Sequence, residues 1–127
     1  MAYEAVEVAK KFVNQSASNL HDHYGDMSPV HSMNNLAVVI WAFLSFQDSF
    51  DEAIGETICC GWDTDCTGAT VGGLIGLDKG SIPESWTDPW QGRVNTAIAG
   101  VGELKLEDLV ERTCKLVDQF SSESDMD

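Results

Sequence analysis

The chain has 127 residues, enough for one domain with a core of its own and too few for two. Its 7 basic and 21 acidic side chains give a formal net charge of −14 and a pI of about 4.2, which excludes nucleic-acid backbones and anionic membranes as partners, since both need basic clusters. At 43% hydrophobic it has the balance of a globular chain, and four cysteines at 59, 60, 66 and 114 make neither a CxxC pair nor a disulfide framework, so a soluble, cytoplasmic protein is expected.

Residues 1–11 carry acidic side chains and no long apolar block, so they do not read as a signal peptide. In residues 3–13, Ala5, Val6, Ala9, Phe12 and Val13 recur at helical spacing. From Asn14 to Asn35 the chain is polar and broken by Gly25 and Pro29, which predicts a loop with one short helix at most. Asn34 and Asn35 then precede Leu36 to Leu44, an apolar run about half the ~20 residues of a bilayer span. Asparagine can cap a helix start, and a segment apolar all round belongs in the centre of a fold; a buried strand is the rival reading.

Ser49-Phe-Asp-Glu52 fits a reciprocal capping box, and the helix it opens, about Phe50 to Cys60, turns Phe50, Ala53, Ile54, Thr57 and Ile58 inward and stops at Gly61. Residues 66–77 hold Gly68, Gly72 and Gly76, spaced by four. As a helix, this stretch would have a groove without side chains, where another backbone could approach; a glycine-rich loop is the other reading. Pro83 opens a short helix that Asp88-Pro89 breaks, Val94 to Ala99 continues as a helix, and a last amphipathic helix from Leu106 turns Leu109, Val110, Cys114, Val117 and Phe120 inward. The four tryptophans read as core or packing residues. The fold class is all-α: a single compact helical domain over residues 1–120, with an acidic, frayed tail over 121–127.

The chemistry is densest in Gly61-Trp62-Asp63-Thr64-Asp65-Cys66-Thr67-Gly68. Two carboxylates two residues apart, delivered by a turn, can meet on one hard divalent ion, which takes oxygen ligands and usually one or two carboxylates plus water. Asp and Thr are equally good helix caps, so both readings stand. His21 and His23 form an HxH that zinc could use or solvent could cover, and His31 reads as a hydrogen-bonded loop residue. Trp62, beside Asp63, packs or stacks on a base or ribose.

The surrounding pattern resembles the ADP-ribosylglycohydrolase family. Four elements occur in the family's order over about residues 20–115: His31-Ser-Met-Asn-Asn35, Ser49-Phe-Asp-Glu-Ala-Ile54, the run Gly61 to Gly76, and Ser81-Ile-Pro-Glu-Ser-Trp86. The resemblance implies the C-terminal part of an all-helical fold and a dinuclear Mg²⁺ or Mn²⁺ site that hydrolyses ADP-ribosyl glycosidic bonds. It assigns Asp63 and Asp65 to the metals, with Thr67 or Cys66 as a further ligand, and brings the backbone at Gly61 and Gly68 close to an ADP-ribose-type ligand on which Trp62 could stack. Cys66 stands where the family commonly has Thr or Ser, and a thiol suits magnesium poorly.

The N-terminal Thr-Asp-Asp motif of the family has no counterpart here; Gly25-Asp26-Met27 does not qualify. Two carboxylates alone hold metal weakly, so the expectation is a chain weakly active or inactive by itself. The alternative is a non-catalytic metal- or nucleotide-binding module. An apolar face left by half a domain would be covered by self-association, most simply a dimer.

Overall fold

The computed structural model describes residues 2–124, so residues 125–127 of the acidic tail lie outside the described residues. The fold is all-α apart from one small hairpin. In chain order the elements are α1 (Ala2–Lys11), α2 (Ser18–Tyr24), α3 (Ser32–Phe46), α4 (Phe50–Cys59), α5 (Thr64–Lys79), α6 (Glu84–Thr87), a 3-10 turn (Asp88–Trp90), β1 (Arg93–Asn95), β2 (Glu103–Lys105) and α7 (Leu106–Ser124). Internal contacts group the chain into two compact units, Met1–Ile82 and Pro83–Asp127. No helix among the described residues is long and apolar enough to cross a membrane.

The first unit is organised by α3, which packs against α1, α4 and α5 and buries Met33, Asn34, Ala37, Val38, Val39, Trp41 and Ala42. That spread around the helix is why its sequence has no polar face. The Trp41 indole is 1% exposed, and its Nε1 donates to the carbonyls of Phe12 (3.0 Å) and Gln15 (3.2 Å), so the chain leaving α1 is pinned to the central helix. The start of α3 corrects the expected asparagine cap. His31 is the N-cap, its Nδ1 accepting the Met33 amide at 3.1 Å, and Asn34 and Asn35 lie inside the first turn. Asn34 is fully buried and donates to the Ser28 carbonyl at 3.1 Å.

Ser49 Oγ accepts the Glu52 amide at 3.3 Å, one half of the expected capping box; in place of the other half, the Ser49 N–H donates to the Phe46 carbonyl at 3.0 Å. α4 then packs along α5, and the glycine spacing shows why. A Cβ on Gly68 would meet Ile58 Cδ1 at 2.9 Å, one on Gly72 would meet Ile54 Cδ1 at 3.2 Å, and one on Gly76 would meet Ile82 Cγ1 at 3.2 Å. The groove expected to admit a backbone is therefore filled by isoleucine side chains. Ile58, expected inward, is 44% exposed and lies over this groove. Left-handed Gly80 (φ 71°) closes α5.

The second unit departs most from expectation. Val94 to Ala99 is not a helix: β1 and β2 pair antiparallel, with Arg93 opposite Lys105, Val94 opposite Leu104 and Asn95 opposite Glu103. Left-handed Gly100 and Gly102 shape the turn, Thr96 Oγ1 and N–H both donate to the Gly102 carbonyl, and Arg93 pairs with Glu103. Strands of three residues are too short to leave a readable alternation. Pro83 caps α6 from outside rather than opening it, and α6 ends at Thr87, where Asp88-Pro89 was expected to break it, the chain continuing as a 3-10 turn. Trp86 and Trp90, read as core or packing residues, are each 40% exposed. On α7 the stripe expected to face inward is exposed: Leu109, Val110, Cys114, Val117 and Phe120.

The glycine stripe yields a paired test by thermal unfolding. Gly73, exposed in mid-helix with nothing within 4 Å of an added Cβ, should gain about 0.5–1 kcal/mol as Gly73→Ala. Gly72→Leu, which drives a side chain into Ile54 and Phe50, should lose about 1–3 kcal/mol.

Candidate metal centre

The acidic pair sits on a bend made by three local choices. After α4 the backbone turns left-handed at Gly61 (φ 79°), which a residue without Cβ does freely. Trp62 stays left-handed (φ 60°), at a cost of about 1–2 kcal/mol for an L-residue. His21 of α2 holds it there: its ring lies 4.1 Å from the indole with planes 33° apart, and its Nε2 donates to the Cys60 carbonyl at 2.5 Å. Asn35 of α3 completes the clamp. Its Oδ1 accepts the Asp63 amide at 3.3 Å, while its Nδ2 donates to the carbonyls of Pro29 (2.8 Å) and His31 (2.9 Å).

Asp63 is the N-cap of α5, whose first helical residue is Thr64. The turn expected to carry both carboxylates thus carries one, and Asp65 and Cys66 belong to the first turn of the helix. The Asp63 carboxylate makes no capping bond to the free amides of α5, so the cap reading does not account for it. Instead one ligand atom each from Asp63, Asp65 and Cys66 lie within 4.8 Å of one another. Asp65 and Cys66 are exposed and Asp63 is half-buried, so water reaches the cluster. A side-chain hydrogen bond to Asp63, reinforced by the negative charges of Asp63 and Asp65, holds the Cys66 thiol above the usual thiol range.

The other sequence candidates fall around this point in different roles. Thr67 is buried, and its Oγ1 donates to the Asp63 carbonyl at 2.9 Å, fastening the bend one turn below the carboxylates. With Asn35, Leu36, Val39, Cys66 and Thr70 it lines a pocket of about 210 Å³. Gly61 has open space around it, whereas Gly68 is buried against Ile58 of α4. Trp62 gives one side of its indole to His21. The HxH pair is divided, with the His23 ring set edge-on to Tyr24 and no histidine joining a group of three metal-type donors among the described residues. Burial, then Glu56, pushes the Cys60 thiol up to about 11, so it is no nucleophile.

The donor set can be tested against a divalent ion. Two converging carboxylates with solvent access suit one, the remaining positions going to water. The sulfur suits a softer ion than magnesium. Two residues that build the site went unread in the sequence: His21, which passed as half of an HxH, and Asn35, which passed as a helix cap.

Removing the clamp should show its worth. Asn35→Ala strands the Asp63 amide and frees two carbonyls, so urea unfolding should report a loss of about 1–2 kcal/mol. An unchanged midpoint would mean that the bend holds without Asn35.

The family model described as ADP-ribosylglycohydrolase matches residues 2–124, wider than the 20–115 marked out by the four sequence elements. Comparison with individual curated proteins and with solved structures gives no match. The match runs over nearly the whole chain and takes in both the helical unit and the bend that bears the acidic cluster, so the chain belongs to the ADP-ribosylglycohydrolase family.

Proposed function

We propose that this protein acts on the glycosidic bond of an ADP-ribose conjugate with the help of Mg²⁺ or Mn²⁺ held by Asp63 and Asp65, and that by itself it is a weak hydrolase. The family is generally divalent-metal dependent. The observation that carries the reading is the convergence of the two carboxylates within 4.8 Å on a bend where Asp63 has no capping duty. A bound ion would supply Lewis acidity to a water and to ribose hydroxyls near the anomeric carbon. The chain's own residues do the rest: Asp63 and Asp65 hold the ion, Asn35 and the His21–Trp62 contact keep the bend in place, and the open space at Gly61 leaves room for a sugar. Two carboxylates fill only part of a dinuclear ligand set, which is why turnover is slow. Four free thiols support a reducing compartment, the cytoplasm.

Thermal unfolding tests the metal reading. Mg²⁺ or Mn²⁺ at ten times its dissociation constant should add about 1.4 kcal/mol, several degrees for a domain of this size, and Asp63→Ala should abolish the shift. Equal shifts in both proteins would remove the ion from this bend. Release of ADP-ribose from a modified peptide should be slow, metal-dependent and lost in Asp65→Ala; fast release would overturn the weak-hydrolase part.

The second reading, a non-catalytic module that pairs with a second copy of itself, is favoured by the exposed Leu109, Val110, Leu116 and Val117 on α7. Because each copy carries a charge of −14, such a dimer should strengthen as salt screens repulsion. Sedimentation that shows only monomers from low to high salt would contradict it.

A further inference from the structure

The exposed apolar face of α7 is patterned along its length. We propose that it is the seam of a two-fold, antiparallel helix pair with a second copy of this chain, in which Asp108 of each copy meets Arg112 of the other. This rests on the second reading above, that another copy covers the face, and adds to it an orientation and a register.

Spacing is the first argument. Leu106, Leu109, Thr113, Leu116 and Phe120 follow one another at alternating steps of three and four residues, the repeat that lets two helices mesh along a seam, and Val110 and Val117 widen it on one edge. Leu106, Leu109, Val110, Leu116 and Val117 are exposed. Thr113, the polar member, does not break the stripe: its Oγ1 already donates to the Leu109 carbonyl at 2.9 Å, so its methyl group can enter the seam without stranding a hydroxyl. An antiparallel pair stacks Leu106 on Leu116 and Leu109 on Thr113, each layer occurring twice by symmetry. One pair of 19-residue helices lies at the small end of stable interfaces, so the dimer is weak and forms at raised protein concentration.

Charge is the second argument, and it selects both the occupant and the orientation. At about 100° per residue, Arg112, Asp108 and Lys115 fall beyond the leucine edge of the stripe, and Glu107, Asp118 and Glu111 beyond the valine edge. Lys115 pairs with Glu111 at the back of the helix, at 2.7 Å, whereas neither Asp108 nor Arg112 makes an ion pair among the described residues. An edge that runs from negative at 108 to positive at 112 is complementary to itself only when reversed. A parallel pair would set Glu107 and Asp108 beside their own copies and align the two helix dipoles. The antiparallel pair opposes the dipoles and brings Asp108 to Arg112 at both ends of the seam, as a two-fold axis requires.

The test is sedimentation of the full chain at one fixed salt concentration, with circular dichroism to confirm that helix content is unchanged. Asp108→Arg should weaken the dimer about threefold or more, although it removes negative charge from a chain of −14. Asp118→Arg, the same change of charge away from the leucine edge, should not weaken it. Adding Arg112→Asp to Asp108→Arg restores the net charge of the original chain and exchanges the partners, so the double variant should regain the original dissociation constant. Orientation is read from disulfides under mild oxidation, in chains whose exposed Cys59, Cys66 and Cys114 are replaced by serine. A chain carrying Leu106→Cys should join one carrying Leu116→Cys, and neither should join itself. A dimer tightened by Asp108→Arg, a double variant as weak as the single ones, or Leu106→Cys chains that join each other would overturn the inference and leave self-association standing. Sedimentation that shows only monomers would overturn both.

Discussion

One amide contact holds the chemistry to the fold: the Asn35 side chain accepting the Asp63 N–H across 28 residues of sequence. The backbone at 61 and 62 is left-handed, a state that an L-residue at Trp62 leaves unless something opposes it. Asn35 opposes it from α3 and His21 opposes it from α2, and between them they determine where α5 begins and which way its first turn faces. The carboxylates of Asp63 and Asp65 meet because a cap position and a first-turn position share one end of a helix. Two positions so spaced in mid-helix would point apart.

What keeps that end in place is the packing behind it. α3 is buried nearly all round and anchors the bend through Asn35 at its N-terminal end. α4 enters the bend and α5 leaves it. The two lie close because Gly68 and Gly72 carry no side chain where Ile58 and Ile54 need room. Glycine within a helix costs about 1 kcal/mol, and at Gly68 and Gly72 the close fit of α4 offsets it. The glycine stripe thus serves the site indirectly, by holding the two helices that frame it.

Features that depend on near neighbours were legible in the sequence. Ser49 announced α4 through its spacing to Glu52, Gly61 marked where α4 stops, and Asp63 and Asp65 could be paired because they are two residues apart. Features that depend on distant partners were not. His21 meets the Cys60 carbonyl from 39 residues away, and nothing in an HxH spacing announces that role. Asn35 looked like a cap because asparagine caps well, while its partners on the loop and on the bend were invisible. The short hairpin at 93–105 escaped because three residues cannot show a period of two, and the stripe on α7 was read as inward because helical spacing names a face without naming what covers it.

The account turns on an ion lodging at the mouth of α5 and not merely gathering over a surface of charge −14. Sub-stoichiometric Mn²⁺ added to isotopically labelled protein distinguishes the two, since its unpaired electrons broaden the nearest amide resonances first. The account predicts that Trp62, Asp63, Asp65, Cys66 and Asn35 fade before all others. Broadening spread over the acidic surface, with those five still sharp, would contradict it.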